Sequence, residues 1–318
     1  MKFWDRYPKV RQQRRWLSSF SPLGPLWVLL LAVCLQAPVS AQVGRYYINT
    51  PVDTHMVSGI FTGVRSNTQA DTAIGASELV SRNQTLTVSY AYITSLSGRT
   101  GGFGFAVPGV SMLSYDDSSG EVLLDESGTG DVALTFDYNL FGAPALSREA
   151  FVRHTPGDYS GLHFSLNVPT GDYDPDREVN IGTNRWALKT TLNYSVTGNG
   201  GVSWWDFYPS VRLFGDNDDF AGSTTLSQKP LWGLEVHYSR NVTPAAWISG
   251  GMVGSLGGQI RVDNEIREES KRSLRLALGG GFATWPRGAA ILTYGHDLID
   301  QGGAARVDSF MLQLLHKF

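Results

Sequence analysis

The last ten residues, Ser309-Phe-Met-Leu-Gln-Leu-Leu-His-Lys-Phe318, put Phe310, Leu312, Leu314 and Phe318 on one face of an extended strand and Gln313 and Lys317 on the other. A strand with one apolar and one polar side suits a sheet that separates hydrocarbon from a wet interior. An edge strand of a soluble sandwich alternates in the same way over so short a stretch. The constraint therefore depends on how often the pattern recurs. It recurs near Met56–Val64, Gln84–Leu96, Gly101–Tyr115, Gly130–Leu140, Ser160–Val168, Trp186–Val196, Val202–Leu213, Leu231–Val242, Ala246–Leu256, Ser273–Phe282, Ala289–Leu298 and Val307–Phe318. Gly, Asn, Asp or Pro punctuates each run.

Phase is clearest in Ser273–Phe282, where Leu274, Leu276, Leu278 and Phe282 share one side and Arg275, Ala277 and Gly279 the other. Turning Arg275 to lipid near the midplane would cost roughly 2–4 kcal/mol, so the leucines face out. Connections after odd strands are long and polar: Ser66–Asn83, Asp116–Thr129, Thr170–Arg185, Gly215–Pro230 and Gly257–Arg272. Those after even strands are short, as in Thr197–Gly201, Thr243-Pro244 and Thr284–Gly288. One even connection, Phe141–Tyr159, is long and contains a short capped helical turn ending near Phe151. This parity is that of an antiparallel up-and-down transmembrane β-barrel of about twelve strands with both termini on the periplasmic side. Trp186 and Tyr194 bracket one strand on the same face; eight steps of about 3.3 Å at a tilt of about 40° climb roughly 20 Å, near the height of the apolar band. Trp232 and Tyr238 repeat the device over a shorter span.

The other end of the chain reads as an export signal. Lys2, Arg6, Lys9, Arg11, Arg14 and Arg15 form a basic lead, Leu26–Leu35 an apolar core, and Ala37-Pro-Val-Ser-Ala41 a small-residue cleavage site. Residues 1–41 are expected to be removed, leaving 42–318 as a single barrel domain in the outer membrane of a Gram-negative bacterium. The apolar run is too short to span a bilayer, which takes about 20 residues. Arg14-Arg15-Trp16-Leu17 resembles a twin-arginine signal and Leu31-Ala-Val-Cys34 a lipoprotein box, although Val33 is bulky where a small residue is wanted. Cys34 is the single cysteine, so the expected mature chain has neither disulfide nor thiolate metal site. Six of the 26 basic residues lie in the lead, which leaves the remainder acidic and unsuited to nucleic acid.

The blocks Val168-Pro-Thr-Gly-Asp-Tyr-Asp-Pro-Asp-Arg-Glu-Val-Asn-Ile-Gly-Thr-Asn-Arg-Trp-Ala-Leu-Lys189 and Phe214-Gly-Asp-Asn-Asp-Asp-Phe220, with Phe141-Gly-Ala-Pro-Ala-Leu146 upstream, resemble the "MetA-pathway of phenol degradation" family. The resemblance runs from the second strand to the C-terminus. It implies an outer-membrane transporter barrel, associated in some members with the catabolism of aromatic compounds, and it supplies no catalytic residues.

With the same phase on every strand, Asp137, His163, Asn167, Lys189, Asn193, Asp206, Arg212, Glu235, His237, Arg275, Gln313 and Lys317 point inward. Such charges either pair and fill the interior or ring a narrow aqueous passage. Twelve strands exceed the roughly eight that side chains alone fill, which favours a passage for small solutes. On the expected extracellular rim stand Asp172, Asp174, Asp176, Arg177, Asn180, Asn184, Arg185, Asp216, Asp218 and Asp219. The acids could hold calcium, but no turn glycine and no bidentate glutamate completes a calcium loop, so turn chemistry is their expected role. Arg177 and Arg185 are expected to pair with them and stiffen a rim that gates entry.

Neither a cofactor nor a resident metal is called for: there is no phosphate-binding glycine loop and no His-Glu-x-x-His site. A lipase of the outer-membrane phospholipase type would need its His-x-Ser pair on the lipid-facing surface. His237-Tyr-Ser239 points to the lumen instead, and His296, which faces lipid, has no serine at matching spacing. The expected function is passive uptake of small, hydrophobic or aromatic molecules, without enzymatic activity. A structural or adhesive barrel is the alternative. The expected partners are outer-membrane lipids, the solute, and the barrel assembly machinery, engaged through the strand ending at Phe318.

Overall fold

The computed structural model describes residues 43–68, 79–117, 119–177, 179–301 and 305–318. The expected signal segment lies outside them. Twelve antiparallel strands close into a barrel: β1 (Thr54–Thr68), β2 (Leu79–Leu96), β3 (Arg99–Asp116), β5 (Val132–Phe141), β6 (Tyr159–Val168), β7 (Ala187–Gly198), β8 (Ser203–Phe214), β11 (Leu231–Thr243), β12 (Ala246–Gly257), β15 (Lys271–Trp285), β16 (Gly288–Gln301) and β17 (Ala305–Lys317). Closure joins β1 to β17 in continuous register from Met56↔Lys317 to Thr68↔Ala305. The Phe318 N–H then donates to the His55 carbonyl at 2.9 Å. Closing the sheet leaves no edge whose backbone groups would lack partners in lipid.

Each of the twelve alternating runs forms a strand, because period-two patterning is the geometry of a sheet with unlike faces. β11 shows the two faces plainly: Trp232, Leu234 and Tyr238 are 58%, 50% and 37% exposed on the outside, while Glu235, His237 and Ser239 are buried inside. The helix in the long even connection, α1 (Arg148–Arg153), starts where the Ser147 side chain accepts from the Ala150 N–H at 3.3 Å. Arg148 Nη2 donates to the Phe318 carbonyl at 3.0 Å, which fixes α1 beside the chain terminus.

Three long connections are more ordered than their polar composition implies. In the Asp116–Thr129 connection, β4 (Val122–Thr129) pairs with the upper part of β3, while β5 pairs with its lower part at Gly101–Ala106. β4 and β5 thus make one stave, interrupted at Gly130-Asp131. The 215–230 and 257–272 connections contribute β9 (Asn217–Phe220), β10 (Thr224–Gln228), β13 (Ile260–Val262) and β14 (Glu265–Glu268) to a four-stranded sheet in the order β14-β13-β10-β9. Its small apolar core is Phe220, Leu226, Ile260 and Val262. A short sheet holds together only with such a buried face.

Candidate functional site

The segment before β1 enters the lumen, which the sequence pattern did not signal. Gly44 lies so close to the wall that an added Cβ would meet Ser249 Oγ at 2.9 Å and Asp206 Oδ2 at 3.2 Å. Arg45 donates its backbone N–H to Asp206 Oδ2 at 2.9 Å, its Nε to Ser239 Oγ at 2.8 Å and its Nη2 to the Val202 carbonyl at 3.3 Å, and its Nη1 bonds Asn241 Oδ1. The guanidinium also sits over Trp204 and Trp247. Tyr47 packs edge-on against Tyr208, with ring centroids 4.9 Å apart, and lies 5.2 Å from the His163 ring. Since Val202 and Asn241 flank the short turns, the Arg45 guanidinium marks the end of the lumen opposite the long loops, and Tyr46 and Tyr47 reach further in.

Beyond this segment lies a cavity of about 230 Å³, lined by Tyr46, Tyr47, His163, Lys189, Arg212 and Glu235 among others, with Ala106, Ala133, Leu231 and Val253 supplying apolar wall. Its charges are not balanced. Glu235 is engaged twice, by Lys189 Nζ at 3.7 Å and by His237 Nε2 at 3.3 Å. Asp137 is engaged by His163 Nδ1 at 2.8 Å. Arg212, paired in register with Lys189, makes no hydrogen bond or ion pair among the described residues.

The remaining inward candidates are structural in their contacts. Asp206 is fully buried and also accepts from Ser195 Oγ at 2.6 Å. Arg275 Nε meets Asp297 Oδ1 at 2.5 Å across β15 and β16, with both residues buried. Gln313 Nε2 donates to Ser58 Oγ at 3.1 Å. Lys317 is half-buried and pairs with Met56 at the end of the register with β1. Ser239, the serine of the His-x-Ser pair, accepts from Arg45 and lies buried in the lumen.

At the rim, most candidates hold backbone. Asp172 Oδ2 accepts from the Thr129 N–H at 2.7 Å, and Asp174 Oδ1 from the Asp176 N–H at 3.1 Å. Asn180 Oδ1 accepts from the Asp174 N–H at 2.8 Å. Asn184 Nδ2 donates to Asn217 Oδ1 at 3.0 Å, whereas Asp216, Asp218 and Asp219 stay exposed. Arg177 bridges Asp174 at 3.1 Å and Glu126 at 2.7 Å. Arg185 departs from its expected acidic partner. Its Nη2 donates to Gln228 Oε1 at 2.6 Å, its guanidinium stacks on Phe214 at 4.9 Å, and its Nη1 is buried without a partner. The side chain is buried there because Phe214 and Gln228 offer it a face and an acceptor. Burial first, and the Arg212 charge second, pull Arg185 down to about 10, against the opposing pull of Asp216 and Asp131.

Two organisers escaped the sequence reading. Asp131 accepts from the N–H groups of Gly171 and Thr183 at 2.9 and 3.0 Å and from Thr183 Oγ1 at 2.5 Å. Asn217, buried, donates to Tyr173 Oη at 2.8 Å and accepts from the Asp219 N–H at 3.1 Å. Both lie at loop-strand junctions, where Asp and Asn are common enough to carry no signal. Gly171 and Gly182 cross backbone to backbone: a Cβ on Gly171 would sit 2.7 Å from Gly182 Cα, and one on Gly182 would sit 2.6 Å from the Gly171 carbonyl carbon. Among the described residues no group of His, Cys, Asp and Glu is placed to hold a metal ion.

Similarity to solved structures follows the barrel. An outer membrane channel from Pseudomonas putida F1 superposes with a TM-score of 0.71 at 21% identity, covering 86% of this chain and 98% of that one. The β domain of the Bordetella autotransporter BrkA gives 0.52 at 12% identity over 84% and 100% of the two chains. The transport unit of the autotransporter AIDA-I from Escherichia coli gives 0.51 at 9% identity over 94% and 100%. At these identities the likeness is one of fold, that of outer-membrane barrels. No curated protein matches the sequence. The family model described as "Putative MetA-pathway of phenol degradation" matches residues 65–302, which takes in both rim blocks and ten of the twelve barrel strands in full, and the chain belongs to that family.

Proposed function

We propose that this barrel is a passive outer-membrane channel for small molecules with an apolar or aromatic body. One observation carries the reading: the lumen retains a cavity of about 230 Å³ with both polar and apolar walls, beneath an ordered rim. Side chains alone do not fill a barrel of this circumference. The family, whose name points to phenol degradation, and the likeness to the Pseudomonas outer membrane channel support the same reading. In this proposal the rim residues Asp172, Asp174, Arg177 and Arg185 shape the entrance, and the segment at Arg45 closes the far end until it moves. The strand ending at Phe318 is the proposed contact for the assembly machinery.

The Arg45 clasp also favours a second reading, a barrel that is permanently shut and serves a structural or adhesive role. Conductance in planar bilayers separates the two. Membrane-purified protein carrying Gly44→Cys and Ser249→Cys places two thiols within disulfide reach. Discrete conductance and liposome flux that vanish on oxidation and return on reduction support the channel. Silence of the wild type and of Arg45→Ala, with no solute flux from either, would establish the shut barrel.

A further inference from the structure

We propose that the lumen cavity is a binding site for a small organic carboxylate, with Arg212 and Lys189 taking the carboxylate and Tyr46 and Tyr47 flanking its apolar body. The inference rests on the channel reading and narrows the solute from aromatic or apolar molecules in general to their anions.

The argument is one of charge left over. Both acids near the cavity are already engaged, Glu235 with Lys189 and His237, and Asp137 with His163. Arg212 reaches the same cavity from the strand next to Lys189 and finds no acceptor among the described residues. A guanidinium removed from bulk water without an acceptor is unfavourable, and a ligand that supplies two oxygens removes the penalty. Arg is suited to carboxylate because its planar fork matches both oxygens. Towards the rim, Arg185 adds a second buried guanidinium, close enough to Arg212 for their charges to oppose, with one unpartnered nitrogen.

The rest of the cavity selects the body of the ligand. Tyr46 and Tyr47 stand edge to face with centroids 4.9 Å apart, and their hydroxyls are protonated donors at neutral pH. Ala106, Ala133, Leu231 and Val253 add apolar wall beside the hydroxyls of Thr135, Ser165, Ser210 and Ser255. A cavity of about 230 Å³ lies below the roughly 300–1,000 Å³ typical of drug-sized ligands, which limits the occupant to a single ring or a short chain.

Equilibrium binding to the full-length purified protein in detergent tests this, with benzoate, its neutral isostere benzyl alcohol and acetate as probes. Benzoate is expected to bind at least tenfold more tightly than either comparison, weakening with added salt. Arg212→Gln should erase the preference over benzyl alcohol, Lys189→Gln should reduce it severalfold, and Arg212→Lys should keep part of it. Heat-modifiable migration and an unchanged thermal transition show that each variant is folded. Equal affinity for benzoate and benzyl alcohol, no binding of benzoate, or a preference untouched by Arg212→Gln would overturn the inference. Liposome flux of the same probes keeps the two proposals apart. Binding without flux sinks the channel and leaves the site standing, whereas flux of both aromatics without preferential binding sinks the site and leaves the channel.

Discussion

Arg45 and Ser239 meet at 2.8 Å, Nε to Oγ, across a sequence separation of 194 residues, and this contact ties the segment before β1 to the inner wall of β11. It belongs to a four-contact clasp in which the Arg45 guanidinium holds Ser239, Asn241 and the Val202 carbonyl, and the Arg45 backbone N–H holds Asp206. Burial lowers Arg45, the Asp206 charge opposes the shift, and the guanidinium stays charged at neutral pH. Removing it takes away every side-chain contact of the clasp at once. Arg45→Ala is expected to raise single-channel conductance severalfold and leave the thermal transition of the barrel little changed. Arg45→Lys, which cannot reproduce the fork, should fall between. Planar-bilayer recording on the two variants checks the order.

The buried Arg275–Asp297 pair predicts an asymmetric response. Removing one partner of a buried pair typically costs about 3–5 kcal/mol, whereas replacing both with apolar groups is often neutral. Asp297→Leu alone is expected to be much less stable than Arg275→Met with Asp297→Leu. Urea titration of the heat-modifiable gel shift measures both, and equal losses would show that the pair contributes nothing beyond packing.

Outward leucines make a matching prediction about the membrane. Leu278 is 46% exposed on the lipid face of β15, next to the buried, inward Ala277. Leu278→Arg should destabilise insertion into vesicles by roughly 2–4 kcal/mol if the site lies near the midplane. The same change at Trp285, near a turn, should cost roughly 0–1 kcal/mol.

The barrel was legible because its signal is repeated. Twelve runs with the same two-sided pattern, joined by alternately long and short connections, leave few other architectures. The rim sheet was not legible, since Phe220, Leu226, Ile260 and Val262 are scattered singly through polar loops and meet only when β10 pairs with β13. The contacts of Arg185 were hidden for a related reason: its sequence neighbours are acids, but it stacks on Phe214 and donates to Gln228. The entry of residues 43–48 into the lumen left no trace either. Gly-Arg-Tyr-Tyr carries no period, and its partners Asp206, Ser239 and Ser249 lie more than 150 residues away.

The rim should respond to alkali. Tyr173 donates its hydroxyl to the Asp219 carbonyl at 2.7 Å and accepts from Asn217, and its pKa is raised, by burial first and then by the charges of Asp219 and Asp174. A group that holds its proton more tightly when folded contributes stability that is complete below its unfolded pKa, about 10 for tyrosine, and lost as pH climbs through the higher folded value. Protease resistance of the 170–185 loop is therefore expected to be flat from neutral pH to about 10 and to fall above it. Tyr173→Phe should remove most of this dependence and lower resistance at neutral pH.

The Gly171–Gly182 crossing gives the sharpest separation of rim from barrel. The two backbones approach so closely that a Cβ on either glycine would stand within 3 Å of the other's main chain, and backbone cannot yield as a side-chain tip can. The crossing is held by the Gly182 N–H on the Asp172 carbonyl at 2.7 Å and by Asp131 on Gly171 and Thr183. Gly182→Val must therefore push the strands of the loop apart and break these bonds together. None of them belongs to the barrel ladder, whose register runs through other residues. Trypsin should then cut the variant at Arg177 or Arg185 at least tenfold faster than the wild type, with heat-modifiable migration of the uncut barrel unchanged. Asp131→Ala should reproduce part of the effect without altering either glycine. If Gly182→Val leaves cleavage at the wild-type rate, the crossing does not hold the rim, and the entrance owes its shape to the β9–β14 sheet alone.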